Sequence, residues 1–234
     1  MIYRFLLASV FIFISFNEKK PTRFIEYAVV TKETKLVTPE ESVYNALNAN
    51  SFDIPTFECF SKALQGFHKL KESGKVSKEF LTIVDYSLPS TVKRLWIIDI
   101  KTNTVVLNSL VAHGKNSGEN FATSFSNKCE SNKSSLGFFT TGETYVGKHG
   151  LSLKLDGLEN GVNNMARTRA IVMHAADYVT ENFAKAHRRL GLSHGCPALP
   201  PNLSAKIIST IKGKSCLFIY HPSLYNANTS KLVS

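Results

Sequence analysis

The stretch Ser193-His194-Gly195-Cys196-Pro197 is the part of the sequence on which both the fold and the chemistry depend. A thiol is a weak nucleophile until it ionises, and a nearby imidazole supplies a base for its proton. Gly195 permits a positive φ and a close approach of substrate. The N–H groups of Gly195 and Cys196 can point at a developing oxyanion, whereas Pro197 has no N–H to offer. The stretch therefore predicts a loop that presents Cys196 as a nucleophile.

Two histidines are candidates for the base. His194 lies two residues before Cys196, and groups so close in sequence rarely reach the in-line geometry of proton transfer. His174 ends the β-rich run 170–174, far enough before Cys196 for a helix to return the chain. We therefore predict that His174 is the base and that His194 orients the site or helps to hold the oxyanion.

A metal site is the alternative use of these side chains. His174, His194 and Cys196 could be three zinc ligands, because His and Cys are the usual ones. The zinc-deaminase pattern fails, because position 176 is Ala rather than Glu. No CxxC pair that would indicate a zinc ribbon occurs among the four cysteines, Cys59, Cys129, Cys196 and Cys216. We predict thiol chemistry with no metal and no cofactor.

The chain before this stretch divides into a helical part and a β-rich part. Thr38 is an N-cap candidate followed by Pro39 and two acids, which predicts a helix to about residue 49. Apolar residues at a 3.6-residue period predict a second helix from about Pro55 to Ser73-Gly74. Further helices are expected at 177–189 and 202–211, and strands at 80–86, 94–100, 105–111, 138–145, 151–155, 170–174 and 216–221. The fold class is mainly β with flanking helices (α+β).

Composition and charge restrict the class of partner. The chain has 234 residues, 43% of them hydrophobic, and a formal net charge of +10. The hydrophobic content is enough for a packed core, and the positive charge favours acidic partners. The basic residues are scattered, with the densest group only at 185–189, so no nucleic-acid partner is predicted.

The N-terminus predicts export. Arg4 precedes an apolar run over 5–16 that is interrupted only by two serines. The run is shorter than the roughly 20 residues of a membrane span, but it fits the core of a secretory signal. Residues 1–16 are therefore interpreted as a signal peptide or an N-terminal membrane anchor, residues 17–38 as a linker and residues 223–234 as a C-terminal tail. The expected location is the periplasm or cell envelope.

Around His174 and Cys196 the chain resembles the murein L,D-transpeptidase family, whose catalytic domain is called YkuD-type. The resemblance rests on His174-Ala175 and on Ser193-His194-Gly195-Cys196, with Pro after the Cys as in one subgroup. It covers about residues 40–222 and includes the stretches 95–99, 111–118, 135–138 and 147–150. It implies a β-sandwich-like catalytic domain over 79–222, with Cys196 on a loop beside a cleft, preceded by a small helical segment over 39–78.

The resemblance also implies an activity on peptidoglycan stem peptides. Cys196 would attack the carbonyl of the diamino acid in a stem tetrapeptide, D-Ala would leave, and the amine of a second stem would take the acyl group to form a 3–3 crosslink. Water in place of the amine would make the protein an L,D-carboxypeptidase. A non-catalytic peptidoglycan-binding envelope protein is the alternative of another class, although a docking module has no need of a thiol.

The sequence departs from the wider family where substrate is bound. Ala175 stands where many relatives have Gly, and Pro197-Ala198 stand where an aliphatic residue and an Arg are common. The contact to the substrate carboxylate must then come from elsewhere, and Arg188 or Arg189 are the candidates.

Three further residues are candidates for contact with the substrate. Ser193 is expected to contact substrate beside the nucleophile. His113 and His149 each precede a Gly and either line the cleft or close turns.

Overall fold

The computed structural model describes residues 37–224, 230, 232 and 233. The predicted signal or anchor over 1–16, most of the linker over 17–38 and most of the tail over 223–234 lie outside the described residues. Within the described part, none of the helices has the length and apolar character needed to span a membrane.

The described residues form one eight-stranded sheet, which confirms the predicted mainly β class with flanking helices. Every predicted strand is present within a few residues of its expected bounds. One strand, β7, was not predicted. The strands are β1 Phe80–Asp85, β2 Leu95–Asp99, β3 Thr104–Ser109, β4 Gly137–Gly147, β5 Gly150–Gly157, β6 Val172–Ala175, β7 Ala198–Leu199 and β8 Cys216–Tyr220.

The strand order is β3-β2-β1-β8-β4-β5-β6-β7. The β1–β8 and β6–β7 pairs are parallel and the other neighbours are antiparallel. Ala112, just beyond β3, forms an antiparallel bridge with Ala198 in β7. Because this bridge links the two edges of the sheet, the sheet is nearly closed, and the chain entering β7 is held between β6 and the segment after β3.

Four helices flank the sheet: α1 Pro39–Asn45, α2 Phe57–Glu72, α3 Glu181–His187 and α4 Pro201–Ile211. Thr38 and Glu41 form the capping box that starts α1, but α1 ends before the predicted residue 49. Helix α3 is also shorter than the predicted 177–189. Thr180 caps its first turn, and Arg188 ends it in the left-handed conformation with φ +57°.

Helix α2 is part of the same hydrophobic core as the sheet. Its buried side chains, including Phe60 and Phe67, belong to one cluster with the inward-facing residues of the strands. Gly66 lies against the Phe138 ring, where an added Cβ would come within 2.0 Å of a ring carbon. The helical segment 39–78 therefore contributes buried surface to the β domain.

Candidate active site

A cavity of about 460 Å³ contains five of the residues that the sequence singled out: His149, His174, Ser193, His194 and Cys196. Its walls also include Tyr145, Lys148, Ser152, Tyr178 and Leu192, which were not predicted as site residues. A second cavity of about 400 Å³ is lined by residues of β3, α3 and α4, with neither Cys nor His among its described lining residues.

The parallel pairing of β6 and β7 explains why Cys196 and His174 share this cavity. His174 is in register with Ala198, so Val172 and Cys196 lie side by side two residues earlier. The Val172 N–H donates a hydrogen bond to Cys196 Sγ at 3.4 Å. Residues two apart on a strand face the same side, so Val172 and His174 both present to the cavity.

The loop that carries Cys196 depends on Gly195 and Ser193. Gly195 has φ +120°, and a Cβ there would lie 2.8 Å from the Lys133 carbonyl oxygen. Its N–H donates to Ser193 Oγ at 3.0 Å, and that hydroxyl donates to the Cys196 carbonyl oxygen at 2.6 Å. The Gly195 N–H, one of the two predicted oxyanion donors, is thus bonded within the loop. The Cys196 N–H has no hydrogen-bond partner among the described residues, so it remains the available donor.

The loop rests on four buried residues, Arg94, His113, Gly114 and Ser134, which we call the buried support. Ser134 Oγ accepts from the Gly114 N–H at 3.0 Å and donates to the Gly195 carbonyl oxygen at 3.3 Å. The His113 carbonyl oxygen accepts from the Ser193 N–H at 2.9 Å. These bonds fix the backbone on both sides of His194.

His113 lies wholly inside the protein and does not line the cavity, which leaves the other alternative, a residue that helps to close a turn. Its side chain is 0% exposed, with Nδ1 at 2.7 Å from an Arg94 guanidinium nitrogen and Nε2 at 3.0 Å from the Gly118 carbonyl oxygen. A guanidinium can only donate, so Nδ1 accepts and Nε2–H donates to Gly118. Burial, with the Arg94 charge, lowers the pKa of His113 to about 4.

Arg169 is a residue of the site that sequence analysis missed. Its guanidinium donates to the Ser126 and Lys133 carbonyl oxygens, each at 2.6 Å, and to the Ser131 hydroxyl at 3.2 Å. It thereby holds the loop 126–135 against which Gly195 packs. Nothing local in the sequence marks this role, because the partners lie some 35–45 positions away and form only when the loop folds.

Burial shifts the pKa values of Cys196 and His174 in the directions that disfavour the thiolate and the imidazolium. Burial raises the pKa of the Cys196 thiol, and the Val172 N–H and the Arg169 charge oppose that rise. Burial, with the charges of His149 and Lys148, lowers the pKa of His174. His174 Nδ1–H donates to the Ala175 carbonyl oxygen at 2.8 Å, so Nε2 carries the lone pair that can accept a proton.

The turn Gly147–Gly150 joins β4 to β5 at the mouth of the cavity, and we call it the exposed turn. Gly147 and Gly150 are paired residues, so Lys148 and His149 are the two residues of a tight hairpin loop. Both side chains are exposed. The His149 ring stacks on His174 with a centroid separation of 4.4 Å and an interplanar angle of 25°.

The two arginines expected to bind the substrate carboxylate do not line the cavity, which corrects that prediction. Arg189 pairs with Glu119 at 2.8 Å and donates to the Leu190 carbonyl oxygen at 2.8 Å. Arg188 is exposed at the end of α3. The early end of α3 is the reason, because it places both residues in the turn that leaves the helix.

The four cysteines are all unpaired, with Cys59 and Cys216 buried and Cys129 exposed. Within the described ranges, no group of three or more His, Cys, Asp or Glu side chains is arranged to hold a metal ion.

Residues 53–220 match the family described as the L,D-transpeptidase catalytic domain. The chain belongs to this family. No curated protein sequence matches it.

Several solved structures are similar. They include an L,D-transpeptidase from Mycobacterium smegmatis (13% identity, TM-score 0.39, covering 61% of this chain and 59% of that one). The helical cell shape determining protein Pgp2 from Campylobacter jejuni is similar at 14% identity and TM-score 0.39, covering 68% and 56% of the two chains. An L,D-transpeptidase from Xylanimonas cellulosilytica is similar at 11% identity and TM-score 0.35, covering 77% and 90%. The chain spans 59% of the length of the mycobacterial protein.

Proposed function

We propose that the protein is a peptidoglycan L,D-transpeptidase that uses Cys196 as nucleophile and His174 as base. The observation that carries the proposal is one cavity, in a chain of this family, that holds a thiol and an imidazole with a free Nε2. The Val172 N–H holds the sulfur beside the strand that bears the base. A non-catalytic docking protein would gain nothing from this arrangement.

The first half-reaction is acylation of Cys196. The Sγ–H proton passes to His174 Nε2 as Sγ attacks the carbonyl carbon between the diamino acid and D-Ala of a stem tetrapeptide. The Cys196 N–H donates to the developing oxyanion. His174 then gives the proton to the leaving amine, the C–N bond breaks, and D-Ala departs to leave a thioester on Cys196.

The second half-reaction returns the thiol. The side-chain amine of another stem attacks the thioester carbonyl, His174 takes a proton from that amine, and Cys196 leaves with a proton, which completes a 3–3 crosslink. Water in the same position would yield a tripeptide and make the protein an L,D-carboxypeptidase. Because burial disfavours both the thiolate and the imidazolium, the proposed mechanism has His174 take the proton during the attack.

The same proposal implies a cellular location and a domain organisation for the chain. An enzyme of peptidoglycan works outside the cytoplasm, which agrees with the export signal proposed for 1–16. We propose that residues 39–222 carry the activity, with the helical segment 39–78 preceding the catalytic domain 79–222.

The deciding experiment is incubation of the purified protein with stem tetrapeptides, followed by mass spectrometry. We expect 3–3 dimers and free D-Ala from the wild type and neither product from Cys196→Ala. Cys129→Ala is the matched control, because Cys129 is exposed and outside the cavity, and it should keep full activity. Tripeptide without dimer would identify the carboxypeptidase, and a folded wild type that yields no product would refute the proposal.

The roles of His174 and His194 are distinguished by comparing alkylation of Cys196 with its acylation. Loss of a general base lowers rates by about 10²–10⁴-fold, so His174→Ala should slow both iodoacetamide alkylation and thioester formation. Loss of an oxyanion contact costs about 10²–10³-fold and does not affect alkylation, which forms no oxyanion. His194→Ala should therefore slow thioester formation alone, and the reverse pattern would exchange the two roles.

A further inference from the structure

The active-site cavity carries charge of one sign. Among the described residues that line it there is no Asp or Glu, and Lys148 is the one permanently charged side chain. The other titratable groups in its walls are three histidines, Cys196 and two tyrosines. An anionic group that enters the cavity therefore meets a cation and no opposing carboxylate.

Lys148 differs from two neighbouring cations, Lys154 of the same hairpin and Arg167 beyond it, because it has no partner among the described residues. Lys154 pairs with Glu143 at 2.9 Å, and Arg167 pairs with the same Glu143 at 2.8 Å and with Asp156. Lys148 makes no ion pair or hydrogen bond with any described residue. Its charge is therefore available to a ligand at the mouth of the cavity.

The position of Lys148 places its charge close to His174. The next residue, His149, stacks on the proposed base His174. The turn that presents Lys148 is short and begins and ends on the paired residues of β4 and β5, so the ammonium group is tethered near His174. A Lys ammonium on a flexible stem is a point charge that pairs with a carboxylate in several orientations.

We propose that Lys148 binds a carboxylate of the acyl-donor stem peptide. This inference rests on the proposed function, since the donor peptide is the substrate proposed above. Lys148 then replaces the arginines at 188 and 189, which the fold places outside the cavity. It is a specificity-determining residue that selects donors with a free carboxylate over their amidated counterparts.

The test compares Lys148→Gln with Lys148→Arg and with Lys101→Gln. Lys101 is the matched control, because it is an exposed lysine in the turn between β2 and β3, away from the cavity. Binding is measured by calorimetry on the Cys196→Ala background, and kcat/KM for D-Ala release is measured with Cys196 present. The donors are a tetrapeptide with all carboxylates free and a series in which each carboxylate in turn is converted to an amide.

We expect Lys148→Gln to weaken binding and to lower kcat/KM about tenfold for the free-carboxylate donor, as for loss of a partly desolvated charged pair. One amidated donor of the series should bind wild type and Lys148→Gln equally, and that donor identifies the partner carboxylate. Lys148→Arg should retain most of the affinity, and Lys101→Gln should match wild type.

Equal losses for every donor, no loss for any donor, or no measurable binding of the free-carboxylate donor would each overturn the inference. The two measurements separate the two proposals. Carboxylate-dependent binding without D-Ala release would refute the proposed function but support the Lys148 site, whereas D-Ala release that is independent of Lys148 would do the opposite.

Discussion

Two groups of residues surround the Cys196–His174 pair, and they are built in opposite ways. The buried support holds the loop of Cys196 through backbone and side-chain hydrogen bonds, and its His113 and Arg94 are fully inaccessible to solvent. The exposed turn touches His174 through one ring stack and presents an unpaired lysine. The proposed nucleophile is thus positioned from within the protein, and the proposed base is contacted from its surface.

This difference predicts two kinds of mutational effect. A change in the buried support leaves a buried polar group without its partner, which costs about 1–3 kcal/mol, and it displaces the loop of Cys196. A change in the exposed turn costs little stability, because its side chains are already in water. Mutations in the buried support should therefore change the stability of the protein and the reactivity of Cys196. Mutations in the exposed turn should change substrate preference.

The largest contrast is expected between two glycines with positive φ. Gly195→Ala would place a Cβ 2.8 Å from the Lys133 carbonyl oxygen at φ +120°, whereas Gly150→Ala, at φ +72°, meets nothing within 4 Å. We expect Gly195→Ala to slow acylation of Cys196 at least about 100-fold, because small displacements of a nucleophile have effects of that size. It should also lower the free energy of unfolding more than Gly150→Ala, which should cost about 1–2 kcal/mol. Equal losses of stability in urea unfolding would remove the distinction between the loop of Cys196, which the buried support holds, and the exposed turn.

The second expected effect is a loss of stability in mild acid that originates in the buried support. The pKa of His113 is about 4 in the folded protein and about 6.5 in an unfolded chain. Between these values the unfolded chain takes up a proton that the folded protein refuses, so stability falls as the pH is lowered through this window. The full shift corresponds to a loss on the order of 3 kcal/mol.

Urea unfolding between pH 7 and pH 4 measures this loss, and NMR identifies its source. The ring C–H signals of His113 should not titrate above about pH 5. Stability that stays constant from pH 7 to pH 4 would show that the histidine is not held neutral by its surroundings.

A smaller effect should distinguish Arg169 from its neighbour Arg167. The Arg169 charge lowers the pKa of the Cys196 thiol, so Arg169→Gln should raise that pKa and slow alkylation at pH 8 about 3–10-fold. Arg167 forms half-exposed pairs with Glu143 and Asp156, and such pairs contribute about 0–1 kcal/mol. Arg167→Gln should therefore leave the pH profile of alkylation unchanged, and an equal shift in both variants would argue against a specific role for Arg169.

The smallest effect is expected in the exposed turn, at the ring that stacks on the base. Stacked ring pairs are worth about 0.5–1.5 kcal/mol, so His149→Ala should slow acylation only about 2–10-fold. His149→Phe keeps a ring without a charge and should recover most of the rate. If His149→Ala and His149→Phe lose the same activity, the stack does not orient His174.

Much of the fold could be predicted because its signals are local. The apolar period of α2 and the runs of β1, β2 and β8 are each contained within a few residues. Strand β7 was missed because Ala198–Leu199 is too short to show an alternating pattern and exists only through pairing with β6. The end of α1 was placed about four residues too far along, and α3 was started four residues too early, although Thr180 is a recognisable N-cap.

The residues of the contiguous motif share one cavity, whereas the surroundings of residues whose partners are distant in sequence could not be predicted. Ser193, His194 and Cys196 lie together, and His174 joins them through strand pairing, as its place at a strand end suggested. The buried position of His113 could not be predicted, because its partner Arg94 lies 19 positions earlier, just before β2, and only the folded chain brings the two together. Lys148 lies within the stretch 147–150 that contributes to the family resemblance, but its proposed role depends on which other charged side chains line the cavity.

The place of β8 in the sheet has a consequence for how the chain is made. Strand β8 lies between β1 and β4 and is the only strand that bonds to both. The continuous sheet from β3 to β7 therefore cannot form before residues 216–220 have been synthesised. Pairing β1 with β8 closes a loop of well over a hundred residues, and sheets built on such distant contacts assemble slowly. Completion of the sheet thus depends on its most distant strand pairing, whereas the β2–β3 and β4–β5 hairpins need only neighbouring residues.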